Sequence, residues 1–93
     1  MTNDNTRLKR LRLGSWRRGT REMDLILGLY ADAELGGLTP DDLDAFEALL
    51  DEPDPDLYLW VSGARSAPAR HEPALQSIRR FHGLAATADS GRS

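Results

Sequence analysis

Apolar residues recur along the chain at helical spacing and nowhere alternate as a strand requires. Met23, Ile26, Leu27 and Tyr30 fall at i, i+3, i+4 and i+7, with Leu25 and Leu29 widening the stripe, which predicts a central core helix. Gly36 and Gly37 are expected to stop it in a left-handed terminal conformation. Ahead of it, Leu8, Leu11 and Trp16 sit among arginines and predict a short basic helix over Arg7 to Trp16, with Gly14 and Gly19 bracketing a tight connection. Thr39, Pro40, Asp41 and Asp42 form a helix start: a hydroxyl cap, a proline where no amide hydrogen is needed, and acids facing the positive helix end. Leu43, Phe46, Leu49 and Leu50 supply that helix's apolar face.

Asp54 and Pro55 repeat the start signal for a helix carrying Leu57, Trp60 and Val61, which Gly63 ends. After a loop punctuated by Pro68 and Pro73, Leu75, Ile78 and His82 mark a last helix. The expected fold is all-α: a small five-helix bundle in one domain over residues 7–83, with disordered ends at 1–6 and 84–93. No single helix of this length is stable alone, so the helices must bury one another's stripes.

Charge adds a second pattern. Residues 1–21 carry seven basic groups and one acid, residues 22–64 carry twelve acids and no Lys or Arg, and residues 65–93 are again net basic. A basic head on an acidic body suggests two surfaces with different electrostatic tasks. The head resembles a mitochondrial presequence, but a motif beginning at Arg18 leaves no space for a cleavable leader, and the reading is a bacterial, cytoplasmic protein. There is no cysteine, hence neither a disulfide nor a thiolate metal site, and no apolar run approaches the ~20 residues that span a bilayer.

A search for catalytic chemistry finds none. His71 and Glu72 lack the second histidine of a zinc-binding helix, and both His71 and His82 read as surface or helix-end residues. No glycine-rich phosphate loop follows a strand, and Ser15, Ser62, Ser66 and Ser77 have no identifiable base. The acids from Asp41 to Asp56 do not match a calcium loop. The expectation is no enzyme, no metal and no stably bound cofactor.

What remains is Ser15 to Asp24, SWRRGTREMD, at the entrance to the core helix. Arg18 offers a fork of donors for carboxylate or phosphate, Gly19 allows close backbone approach, and Glu22 follows one turn later. The same residues also read as ordinary helix-start features: Gly19 or Thr20 as cap, Glu22 as a first-turn acid, Arg21 solvated.

The run RRGTREMDLILGLYAD, with Arg18, Gly19 and Glu22 forming RGxxE, resembles the signature of the succinate dehydrogenase FAD assembly factors, called flavinators in bacteria and assembly factor 2 in mitochondria. The likeness continues through LTPDDLDAFEALLDEPDPDLYLWVSG to Ile78 and Arg79, about residues 8–80. It implies a five-helix bundle that binds the flavoprotein subunit of succinate dehydrogenase, with that of fumarate reductase as a related client, and promotes covalent attachment of FAD, the chemistry belonging to the client. It further implies that Arg18, Gly19 and Glu22 form the client contact with Arg17 and Asp24 as neighbours, and that Trp60 and Gly63 secure the fold. Thr20 departs from the methionine or leucine common at that position. A factor of this kind is expected to be a monomer when free. The alternatives are an antitoxin-like or nucleic-acid-binding module, which the basic head would serve but the acidic body would oppose, and a free-standing FAD-binding protein, which the lack of a dinucleotide motif opposes.

Overall fold

The computed structural model describes residues 2–84, and its helices are α1 (Thr2–Ser15), α2 (Arg21–Glu34), α3 (Pro40–Leu50), α4 (Asp54–Ser62) and α5 (Glu72–Phe81). Single 3₁₀ turns at Leu35–Gly37 and Ala69–His71 join α2 to α3 and α4 to α5. No strand occurs among the described residues, and the five-helix bundle expected from the apolar pattern is the architecture observed.

α2 occupies the centre. Met23, Leu27, Tyr30 and Ala31 are buried along one side of it, continued by Leu35 in the following turn. Phe46 and Leu49 of α3, Leu57, Trp60 and Val61 of α4, and Leu75 and Ile78 of α5 close the core around that stripe, with Leu11 of α1 at its edge. The Tyr30 ring lies 5.5 Å from Phe46 and 5.8 Å from Phe81, the latter edge-on, and its hydroxyl is 2.8 Å from Ser77 Oγ. Burial raises its phenol above the ordinary tyrosine value, and the hydrogen bond with Ser77 offsets only part of that rise.

Several local expectations change. α1 begins at Thr2, inside the stretch read as a disordered terminus. Once Leu8 and Leu11 anchor a helix on α2, each further residue adds a hydrogen bond without a new nucleation cost. The expected tail at 84–93 lies outside the described residues apart from Leu84. The α2 stripe is narrower than the sequence suggests, because Leu25 and Leu29 are 41% and 44% exposed. Gly36 and Gly37 do not take a left-handed conformation; α2 tightens into a 3₁₀ turn instead. Gly63 does, with φ 84°, and ends α4 as expected.

His71 is buried rather than at the surface. It stands at the start of α5 with its ring 5.6 Å from that of Trp60, and its Nε2 donates to Glu52 Oε2 at 2.7 Å. That bond is the main reason the Glu52 carboxyl is held below the usual carboxylate range. His82 is a helix-end residue as read, its Nε2 donating to Ile26 O at 2.8 Å and so tying the end of α5 to α2.

The charge segregation is also resolved internally. Arg7 contacts Asp44 at 2.7 Å and Glu47 at 2.8 Å, Arg10 contacts Glu47 at 2.8 Å, and Arg12 lies 3.5 Å from Asp32. Much of the basic head therefore serves to dock α1 on the acidic faces of α2 and α3, and is not a separate basic surface.

Candidate functional site

The connection between α1 and α2 is short and strongly held. Trp16 follows the last turn of α1, and its ring covers Gly28 of α2 so closely that a Cβ at Gly28 would lie 2.3 Å from Trp16 Cδ2. The indole Nε1 donates to Asp32. Beyond it the chain turns through Gly19, whose φ of 105° is open to glycine and rarely adopted by other residues. Thr20 then caps α2, its hydroxyl accepting from Met23 N at 3.2 Å.

Arg18 is turned inward. Its Nε donates to Asp54 Oδ1 at 2.8 Å, Nη1 to Leu50 O at 2.7 Å and Nη2 to Glu52 O at 2.8 Å. The two carbonyls lie at the end of α3 and just beyond it, where a helix leaves acceptors without internal partners. The carboxylate belongs to the first turn of α4. One guanidinium thus closes the α3–α4 corner and fastens the Gly19 turn to it, with 14% of its side chain and 15% of that of Asp54 exposed. Asp24 completes the lock by accepting from Arg18 N at 2.7 Å.

Of the residues that the motif singles out, Arg18 and Asp24 are committed to holding the turn, whereas Arg17, Gly19 and Glu22 are exposed. Arg17, Arg21 and Glu22 have no ion pair among the described residues. Asp54 begins α4 as read, behind Pro53 at the cap position, and its carboxylate makes no cap hydrogen bond but accepts from Arg18.

Beside the turn lies an open recess of about 370 Å³, lined by Thr20, Glu22, Met23, Asp54, Pro55 and Tyr58. Sequence reasoning missed Pro55 and Tyr58 as members of this surface. Nothing in the spacing of Tyr58 told that the first turns of α2 and α4 line one recess. Among the described residues no group of three His, Asp or Glu side chains could hold a metal ion, and no helix is long and apolar enough to cross a membrane.

The structure therefore defines a small all-helical protein whose distinguishing surface is a rigid, charge-bearing turn at the start of its central helix. Comparison with known proteins gives the chain a family. The model for the flavinator of succinate dehydrogenase matches residues 9–82, and the chain belongs to that family. It is 43% identical over 65 residues to the mitochondrial succinate dehydrogenase assembly factor 2 of Mycosarcoma maydis, covering 70% of this chain and 27% of that protein. The corresponding protein of Yarrowia lipolytica is 35% identical over 85 residues, covering 84% of this chain and 59% of its own. The FAD assembly factor SdhE of Acetobacter pasteurianus is 34% identical over 75 residues, 81% of this chain and 67% of that protein. The matched segment thus spans well under half of the Mycosarcoma relative. No solved structure is a significant match.

Proposed function

We propose that this chain is an assembly factor that binds the flavoprotein subunit of succinate dehydrogenase and promotes covalent attachment of FAD to it. The observation that carries the reading is the RGxxE turn in a chain matched by the flavinator model over residues 9–82: Arg18 is spent on holding the turn, and this leaves Gly19, Glu22 and Arg17 presented to a partner. The factor is a helper and not an enzyme, with no cofactor of its own. By holding the client in one arrangement it brings FAD and the accepting side chain of the client into reacting geometry, and positioning alone lowers such a barrier. The related flavoprotein of fumarate reductase is a second client of the same kind. The protein acts as a monomer in the bacterial cytoplasm.

Internal pairing of Arg7, Arg10, Arg12 and Arg18 with Asp44, Glu47, Asp32 and Asp54 argues against the nucleic-acid alternative, since those cations are already partnered. The test is in-gel flavin fluorescence of the denatured flavoprotein subunit from cells with and without the gene. Covalent flavin survives denaturation, so the fluorescent band is expected to fade on deletion and to return with the wild-type gene but not with Glu22→Ala. An unchanged band on deletion overturns the reading.

A further inference from the structure

Glu22 is an exposed carboxylate with no ion pair among the described residues, set at the rim of a recess whose other wall is apolar. Met23, which is 1% exposed, forms the floor, and Pro55 and Tyr58 stand on the α4 side. Tyr58 is 47% exposed, an aromatic ring offered to solvent without a hydrogen bond to its hydroxyl among the described residues. The second carboxylate of the lining, Asp54, gives Oδ1 to Arg18 and keeps Oδ2 on the side of the Gly19 turn. Two carboxylates and no basic side chain line the recess.

This combination matches one side chain better than any other. A lysine ammonium is compact and strongly hydrated and gains little from an aromatic wall. An arginine guanidinium is weakly hydrated, lies flat on an aromatic face and meets a carboxylate with two parallel donors. Its methylene stem would cover Pro55 while its planar head met Glu22 and stacked on Tyr58. We infer that the recess between the first turns of α2 and α4 is a socket for an arginine presented by the partner, with Glu22 as its carboxylate and Tyr58 as its stacking wall.

Arg18 explains why the socket is rigid. It ties the α3–α4 corner to the Gly19 turn, so the helix that carries Tyr58 and the helix that carries Glu22 keep a constant separation. Anchors held in place before binding lose less entropy on association than mobile ones.

The inference rests on the flavoprotein subunit being the partner. The experiment measures binding of the full chain to the purified flavoprotein subunit lacking FAD, by titration calorimetry. Glu22→Gln and Tyr58→Leu are each expected to weaken binding roughly tenfold or more, because a stacked, bidentate pair is lost. Tyr58→Phe keeps the ring and is expected to bind within about twofold of wild type. Glu22→Arg is expected to abolish binding, and one member of an Arg→Glu scan over the surface of the subunit to restore it. Unchanged binding by Glu22→Gln, equal losses in Tyr58→Phe and Tyr58→Leu, or a scan without a rescuing arginine overturns the socket while leaving the partner in place. Failure of the wild-type chain to bind the subunit overturns the partner and the socket together.

Discussion

Arg18 carries a structural task that its sequence pattern did not disclose. A fork of donors beside a glycine suggests a group held out to a partner, yet all three guanidinium nitrogens donate inward, to Leu50 O, Glu52 O and the carboxylate of Asp54. Arg18→Ala would leave two carbonyls and a carboxylate without their donor. We expect a stability loss of about 2–3 kcal/mol and a fall in Tm of roughly 10 °C or more, measured by thermal denaturation. Arg18→Lys should recover only part of this, since an ammonium cannot span the three acceptors. Gly28 is a second case. Alanine within a helix gains about 1 kcal/mol over glycine in propensity, so Gly28→Ala would ordinarily stabilise. A Cβ 2.3 Å from the Trp16 ring reverses the sign, and the expected outcome is a net loss of about 1–3 kcal/mol with release of the Trp16 indole N–H from Asp32, visible as a shifted indole resonance.

Among the elements, α2 and α3 begin alike, with Thr20 accepting from Met23 N and Thr39 accepting from Asp42 N. Removing either hydroxyl costs about 1 kcal/mol. Their consequences separate because Thr39 starts the end of α3 remote from the corner that Arg18 closes, some ~16 Å away along an eleven-residue helix. Thr20→Ala and Thr39→Ala are therefore expected to lower stability equally, while only Thr20→Ala weakens binding of the flavoprotein subunit in the same titration. The Thr39 cap was legible in the sequence, since a hydroxyl followed by proline and an acidic first turn has a local cause, whereas at α2 the pattern left Gly19 and Thr20 both open. What local pattern could not convey is that the first turn of α4 faces that of α2 across one recess, which is how Pro55 and Tyr58 join the site.

At the scale of the molecule, the attachment of α1 depends on charge. Hydrogen bonds from Arg10 and then Arg7 hold the Glu47 carboxyl below the usual carboxylate range. A carboxyl depressed in the folded state contributes stability above its unfolded value of about 4.3 and loses it as pH falls through the folded value. Glu47→Gln is accordingly expected to be less stable than wild type at pH 7, with the difference closing as pH drops below about 4, read as Tm against pH. Added salt at pH 7 should narrow the same gap, because these pairs are partly exposed.

The sequence alone determined the number of helices, the Thr39 cap of α3, the Gly63 end of α4, the Met23, Leu27 and Tyr30 side of α2 and the RGxxE motif, because each arises from residues a few positions apart. It also carried the family, through residues spread along most of the chain. Tertiary structure decided the rest: that Arg18 faces inward, that His71 is buried against Trp60 and Glu52, that Leu25 and Leu29 remain outside, and that the basic head pairs with the acidic body. These depend on which helix ends meet, and that is set by packing the whole core at once rather than by any neighbouring stretch of chain.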